Sequence, residues 1–526
     1  MKKKYVRWTL WTIASPFILF IILCILIYLP PIQNFLVDKA AVYASEATGM
    51  NISVGRISLS FPLNLVVTNV DAASPHNDTL LSVRRLQVNV QLLPLLKKQV
   101  EVDGISLQGA TVNSNDLIHG MKLNGTLGEL FISSHGVALD PETAIVNKVL
   151  LKDTDLSLCL NDTAAVDTAA SDTTYWKIIL QDIDLQNVSF ALDMPLDSLS
   201  LAASLDNAIL RDGLIDLHKS AYSLQTFRIE NGRVRYDNGK PLAADSLSSG
   251  LDPSHIALTD IGVKLDSLYY GGRNMKAIIS QFVLKERSGV EIVSATGRMV
   301  SNDKVLRVPS LKLETRDSYL ELNAAMDWNA LDFKGEGLMS ARLMADIGKP
   351  DVVRFMGRMD EKFVRQYPSE PLRIRTGIDG DLNKLKLTTL TAELPGALGL
   401  FARGELTHLT DSLLRGGDIT LEAETKDLKF VSTLAEGIEI PYGTRLEGKF
   451  TMAGTKMGTD LLLMQPEAQA VVAADTIPIT VYNDSISVAD DFKMERAARL
   501  FAKYDLSRDR YEADLAVNHF DLHQFM

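Results

Sequence analysis

Cysteine is almost absent from the 526 residues: Cys24 lies in an apolar run near the N-terminus, and Cys159 stands alone in the remainder. One thiol closes no intrachain disulfide, which excludes a small stapled secreted domain and leaves the body to be held by its own packing. Excess positive charge is also missing. The net charge is −12, and setting aside Lys2, Lys3, Lys4 and Arg7 leaves about −16 for the rest, so nucleic acid and anionic headgroups are disfavoured as partners held by overall charge. No phosphate loop, nucleophile motif or zinc spacing occurs. The eight histidines are scattered. Only His519 and His523, with Asp521 between them, come close, and a polar strand face explains them better than a metal site. The expectation is a chain that is not an enzyme and has neither metal nor cofactor.

Carboxylate pairs are the nearest approach to catalytic chemistry. Asp153 with Asp155, Asp182 with Asp184 and Asp379 with Asp381 have the spacing that puts two acids on one strand face. A general acid needs a pocket that raises its pKa, whereas acids recurring along the chain read as a solvated face. Glycosylation signals, Asn-x-Ser/Thr at Asn124 and Asn187 and Asp-Thr-Ala at Asp162 and Asp167, are short and weak.

One long apolar run is present. Trp8 to Leu29 is 22 residues without a charge, enough to cross a bilayer as a helix. The basic residues of segment 1–7 predict a cytoplasmic N-terminus. Trp8, Trp11, Phe17, Ile22 and Tyr28 are the expected anchor residues, with Trp8, Trp11 and Tyr28 at the interfaces. A cleaved signal peptide ending before Ser45 is the rival, but the run exceeds the roughly 7–15 residues of a signal core. After Pro30 and Pro31, residues 31–49 place Ile32, Phe35, Leu36, Ala40, Tyr43 and Ala47 on one helical stripe that Gly49 ends.

From residue 50 the period changes to two. Leu86, Val88, Val90 and Leu92 alternate with polar residues, as do Leu156, Leu158 and Leu160, Leu311 and Leu313, and Leu320 and Leu322. A motif recurs irregularly as VTNVDA, VDGISL, LKDTDL, LQDIDL and LTDIGV, starting at Val67, Val102, Leu151, Leu180 and Leu258. Hairpin turns are predicted at Gly109, Asn187 and Asn231-Gly232, with return strands through Val112, Phe190, and Val234 and Tyr236. In the second half, Gly297, Gly380, Gly404 and Gly448 each begin a strand-like segment. Helices are expected at 351–367, Phe430 to Leu434 and Met494 to Phe501, and 161–174 is a low-complexity loop. Alternation does not say which face is which, because a one-residue bulge swaps them.

Several stretches resemble the AsmA/TamB family of bacterial envelope proteins: the uncleaved anchor with its following helix, TGMNISVGRISLSFPLNLVVTNV, LLSVRRLQVNVQLLPLLKKQVEVDGISLQGATVN, and LNKLKLTTLTAELPGALGLFARGELTHLTDS. The resemblance implies a mainly β fold, a long twisted antiparallel sheet curled into an open apolar groove behind one transmembrane helix, with an N-terminal module over 50–160 and repeated groove strands over 175–526. It implies an inner-membrane, single-pass protein with a periplasmic body that carries phospholipid between membranes, and a TamA-type outer-membrane barrel as a partner. The long C-terminal region of a full TamB has no counterpart before Met526, which puts that outer-membrane contact in doubt. On this reading the groove is lined by Leu86, Val88, Val90, Ile105, Leu107, Leu156, Leu158, Ile183, Leu185, Leu311, Leu313, Leu320 and Leu322. The alternative role is a scaffold whose strand edges pair with nascent barrel proteins.

Overall fold

The computed structural model describes residues 29–520 apart from 61–63, 75–78, 91–101, 115–120, 139–141, 162–174, 241–249, 332–336, 358, 435–439, 441, 466–467, 473–477, 483–496 and 519. The anchor positions Trp8, Trp11, Phe17, Ile22 and Tyr28 lie outside these residues, as do His519 and the 521–523 segment. No described helix is long and apolar enough to cross a membrane. Helix α1, Pro30–Thr48, forms where the 3.6-residue stripe predicts it and stops at Gly49, whose φ of 72° is left-handed and whose N–H bonds Ser45 O at 2.8 Å. Phe35 and Tyr43 of the stripe are exposed.

The rest is mainly β. Among the described residues twenty-four strands, and a further separate pair, form ladders in two compact units. The first unit holds β1 (Asn51–Ser60), β2 (Asn64–Ala73), β3 (Thr79–Val90), β4 (Val102–Asn113), β5 (Met121–Ala138), β6 (Thr143–Leu160), β7 (Lys177–Met194), β8 (Leu199–Asp216), β9 (Ala221–Leu224), β10 (Thr226–Asp237) and β11 (His255–Gly271). Neighbours in sequence pair in order from β1 to β8, and β9 and β10 together fill the place between β8 and β11. Every pair is antiparallel except β6 with β7, which is parallel in a constant register from Thr143↔Lys177 to Cys159↔Asp193. An antiparallel neighbour needs only a tight turn, whereas a parallel one needs a connection of about a dozen residues or more. Residues 161–176, which include the low-complexity segment, make that connection.

The turns expected at Gly109, Asn187 and Asn231-Gly232 are not turns. Each lies inside one continuous strand, β4, β7 and β10. Gly109, Asn187 and Asn231 do adopt the left-handed conformation that the turn reading required, with φ of 61°, 52° and 54°. A single left-handed residue re-aims the strand without reversing it, and both flanks keep the same neighbours. Asn69 of β2, Asp153 of β6 and Asp260 of β11 do the same, with φ of 53°, 48° and 51°. Asn and Asp tolerate that region better than other residues with a Cβ. These positions line up across the sheet, since the registers on either side set Asn69 opposite Arg84, Arg84 opposite Gly109, Gly109 opposite Gly128, Gly128 opposite Asp153, and Asp153 opposite Asn187. Asn187 Nδ2 donates to Asp153 Oδ1 at 2.9 Å.

The second unit holds β12 (Asn274–Glu286), β13 (Glu291–Ser301), β14 (Val305–Thr315), β15 (Tyr319–Asp327), β16 (Met339–Ile347), β17 (Leu372–Gly380), β18 (Lys384–Leu394), β19 (Leu398–Thr407), β20 (Gly416–Thr425), β21 (Arg445–Ala453), β22 (Lys456–Met464) and, after a separate pair β23 (Ala468–Val472) and β24 (Pro478–Tyr482), β25 (Ala497–Asp505) and β26 (Arg510–Asn518). β12 to β22 pair in order, β22 continues to β25 and β25 to β26, all antiparallel. The helix expected from Met494 to Phe501 is therefore a strand from Ala497: Leu500 sits between Leu461 and Leu515, and strand pairing overrides the helical spacing. The helix expected over 351–367 is two, α2 (Lys349–Met356) and α3 (Glu361–Gln366), separated at Gly357 with φ 76°. Phe430–Leu434 is a short 3₁₀ turn, Lys429–Thr433.

These helices make the most completely buried cluster. Val353, Phe363, Tyr367, Leu394, Ala397, Leu428 and Phe430 pack together where the β16–β17, β18–β19 and β20–β21 connections meet, with the Phe363, Tyr367 and Phe430 rings 5.1–5.8 Å apart. Burial of Tyr367 raises the pKa of its phenol. Asp351, 1% exposed, accepts from Ser318 Oγ at 2.6 Å and pairs with Arg354 at 3.1 Å, so its charge is compensated.

Candidate functional site

Directly paired residues on neighbouring strands point to the same face. In the first unit one such row reads Leu65, Val88, Ile105, Ile132, Val149, Ile183, Leu210, Phe227 and Leu265 from β2 to β11. Two residues along, the next row begins at Ile57 of β1 and reads Val67, Leu86, Leu107, Leu130, Leu151, Leu185, Ala208, Ile229 and Val263. Every member of both rows is apolar.

Beyond the left-handed positions the apolar rows resume after three residues instead of two. Val70, Val83, Ala110, Leu127 and Thr154 form one row, and Ala72, Leu81, Val112, Gly125, Leu156, Phe190, Ala203 and Val234 the next. The left-handed residue absorbs the parity change. Without it the alternation Val149, Leu151 would continue to Asp153 and Asp155; with it, Thr154 is buried and Asp153 and Asp155 are exposed. Between the apolar rows run polar ones, such as Ser53, Asp71, Ser82, Thr111, Thr126, Asp155, Ser189 and Ser204. The unit thus has one apolar and one polar face over ten strand positions. Gly125 belongs to an apolar row because a Cβ there would come 2.2 Å from Asp155 O.

The second unit repeats the pattern with fewer interruptions. Gly297, Leu311, Leu322, Leu343, Thr376, Leu390, Ala402, Leu421, Gly448, Leu461, Leu500 and Leu515 form one row over twelve strands. Ala295, Leu313, Leu320, Ala345, Ile374, Ala392, Leu400, Ala423, Leu446, Leu463, Ala498 and Val517 form its neighbour. Gly297 and Gly448 are where a Cβ would meet Leu311 and Leu461 side chains at 2.8 and 2.9 Å. Ion pairs lie among the residues out of phase with these rows, including Arg375 with Asp346 at 2.7 Å and Arg499 with Asp460 at 2.6 Å.

The expected groove residues fall into these rows. Leu86, Val88, Ile105, Leu107, Leu156, Leu158, Ile183 and Leu185 share the apolar face of the first unit, where Leu158 pairs with Leu123 and Leu192. Val90 ends β3. Leu311 pairs with Leu322 and Leu313 with Leu320 in the second. None of the twelve besides Val90 is fully buried, and Ile105 is 38% exposed. The wholly buried side chains belong mostly to the helical cluster and to alanines.

Sequence reasoning missed most members of the rows, including Leu130, Ile132, Val149, Leu151, Leu210, Leu343, Leu390 and Leu461. Their signal is alternation that restarts out of phase after an Asn, Asp or Gly. The carboxylate pairs have structural partners: Arg211 bridges Asp182 and Asp184, and Asp381 accepts from Asn383 N and Lys384 N at 2.8 and 2.7 Å. Among the described residues no group of three His, Cys, Asp or Glu is placed to hold a metal. No family model matches this chain, and no curated protein matches it.

Proposed function

We propose that the chain is a membrane-anchored periplasmic carrier of phospholipid between inner and outer membranes, whose acyl chains lie on the apolar rows while headgroups stay in water. The carrying observation is the predominantly apolar face of each unit, with a row at least ten strands wide, lined mostly by leucine, isoleucine, valine and alanine with an occasional glycine or threonine. Monomeric proteins rarely expose apolar patches beyond a few hundred Å², so such a face calls for an apolar occupant. Acyl chains suit rows without a specific polar contact, and transfer along them needs no covalent step. The inner-membrane location and the TamA-type barrel as partner follow only from the AsmA/TamB resemblance and belong to the same proposal.

Mass spectrometry of lipid extracted with the purified full chain tests the reading directly. Phospholipid is expected in the wild type and should be depleted in Leu313→Asp and Leu322→Asp at unchanged far-UV dichroism. Lipid-free wild-type protein with the same β content would overturn it. The scaffold reading draws on β26, which pairs with β25 on one side and exposes Tyr511, Leu515 and Val517. Crosslinks from Glu512 to client strands, with no lipid bound, would favour it.

A further inference from the structure

The two ends of the strands of the second unit differ. One end of β16 to β21 is closed by the helical cluster. The other consists of turns, and these are hydrogen-bonded to one another: His408 N to Asn383 O at 3.0 Å, Leu409 N to Leu382 O at 2.8 Å, Gly454 N to Arg415 O at 2.7 Å, and Leu506 N to Thr455 O at 3.0 Å. Arg415 Nε also donates to Gly454 O at 2.7 Å.

Turns are ordinarily polar, yet these carry Leu413, Leu414 and Leu506, exposed by 78%, 64% and 44%. Nothing in the fold requires leucine there. The turn geometry comes from Asp411, which accepts from Leu413 N at 2.8 Å, and from Asp505, which accepts from Ser507 N at 3.0 Å. Asp509 is likewise engaged, by Tyr504 Oη at 2.7 Å. Beside the leucines lie Lys456, Lys503, Arg508 and Arg510, which with Asp505 and Glu512 line a shallow cavity of about 380 Å³. The carboxylates are committed to turns or to Arg510, while no described partner holds Lys456. Counted as charges, four cations stand against Asp505, Glu512 and the neighbouring Asp509, which leaves a small local excess of positive charge on a chain whose overall charge is negative. Phe355, Met356 and Leu434 are exposed at the other end, but on the helices around the buried cluster and not on a ridge of linked turns.

We infer that this ridge of turns docks on the surface of an anionic bilayer, with Leu413, Leu414 and Leu506 entering the interface and Lys456, Arg508 and Arg510 meeting phosphate headgroups. Short apolar side chains flanked by cations match that boundary, where buried apolar area and attraction to anionic lipid add. The inference does not require acyl chains on the apolar rows. A ridge that docks while the protein carries no lipid would leave it standing and sink the carrier reading.

The test uses the full chain in neutral nanodiscs, with Cys24 and Cys159 replaced by Ser and an environment-sensitive fluorophore on Leu413→Cys. Vesicles containing phosphatidylglycerol and brominated phosphatidylcholine are titrated in. Quenching is expected at position 413 and absent from the same label on Glu361→Cys, which lies on α3 at the closed end. Removing two charges with Arg508→Gln and Arg510→Gln should raise the vesicle concentration for half-quenching on the order of thirtyfold, at about 1 kcal/mol per cation. A label at 413 that stays in water with every vesicle overturns the inference. So does equal quenching at 413 and 361, or quenching indifferent to phosphatidylglycerol and to the arginine substitutions.

Discussion

The two units keep one face apolar by different devices. In the first, left-handed residues stand inside β2, β4, β6, β7, β8, β10 and β11, and those of β2, β4, β6 and β7 align in register, so the sheet changes parity along one line there. In the second, no residue within a strand other than glycine has positive φ; the registers slip instead at isolated places, such as between Val308 and Leu311 or Leu387 and Leu390. An aligned line of left-handed residues preserves register across many strands. Isolated bulges alter one or two pairs and leave the rest straight. Among the described residues the second unit alone adds a compact helical core at one strand end. The first therefore relies on conformational residues where the second relies on packing.

The largest expected effect separates core from face within the second unit. Phe363, 1% exposed, should cost about 3–5 kcal/mol when replaced by alanine. Leu322, half-buried in its row, should cost about 1 kcal/mol, since much of its surface meets water or lipid in the folded protein. Urea unfolding of the delipidated full chain measures both. Equal losses would mean that the row is itself a covered core, and the case for an acyl-chain occupant would go with it.

Next comes the left-handed line of the first unit. Asn187→Val puts a β-branched side chain at φ 52° and removes the bond to Asp153, at a cost of about 2–3 kcal/mol. Asn187→Gly should cost less than 1 kcal/mol, because glycine enters that region freely. In the second unit Thr459→Val, inside β22 where the register with Phe450 and Ala502 is unbroken, should change stability by less than about 0.5 kcal/mol. A valine tolerated equally well at 187 and 459 would show that the line is not what holds the first sheet in phase.

Much of the strand content was legible because period-two alternation is a local signal: Leu156 and Leu158 lie on one strand, and Leu320 and Leu322 on another facing Leu313 and Leu311. The identity of the turn residues was legible too, but not their effect. Asn231-Gly232 looks like a hairpin because both residues permit positive φ, and only the neighbouring strands decide whether the chain reverses or continues. The parallel β6–β7 pair had no local signature at all. Strand Ala497–Asp505 was misread because Ala497, Leu500 and Phe501 fit a helical stripe, while the pairing of Leu500 with Leu461 is non-local. The turn ridge escaped because leucines in turns look like noise until adjacent turns bring them together.

The smallest expected effect concerns the polar side of the second unit. Arg499 Nη2 and Nε bond the Asp460 carboxylate at 2.6 and 2.8 Å, and this holds its pKa below the ordinary aspartate value. A carboxyl whose folded pKa is depressed contributes stability that is fully present above its unfolded value near 4 and is lost as pH falls through the lower, folded value. Because the pair is exposed, the loss should stay below about 1 kcal/mol. Carboxyl-carbon NMR of the wild type should show Asp460 titrating below the other exposed aspartates, and Arg499→Gln should bring it up among them. If Asp460 titrates normally with Arg499 in place, the hydrogen bonds do not persist in solution. The apolar rows on the opposite side would then have to stabilise β22 and β25 alone.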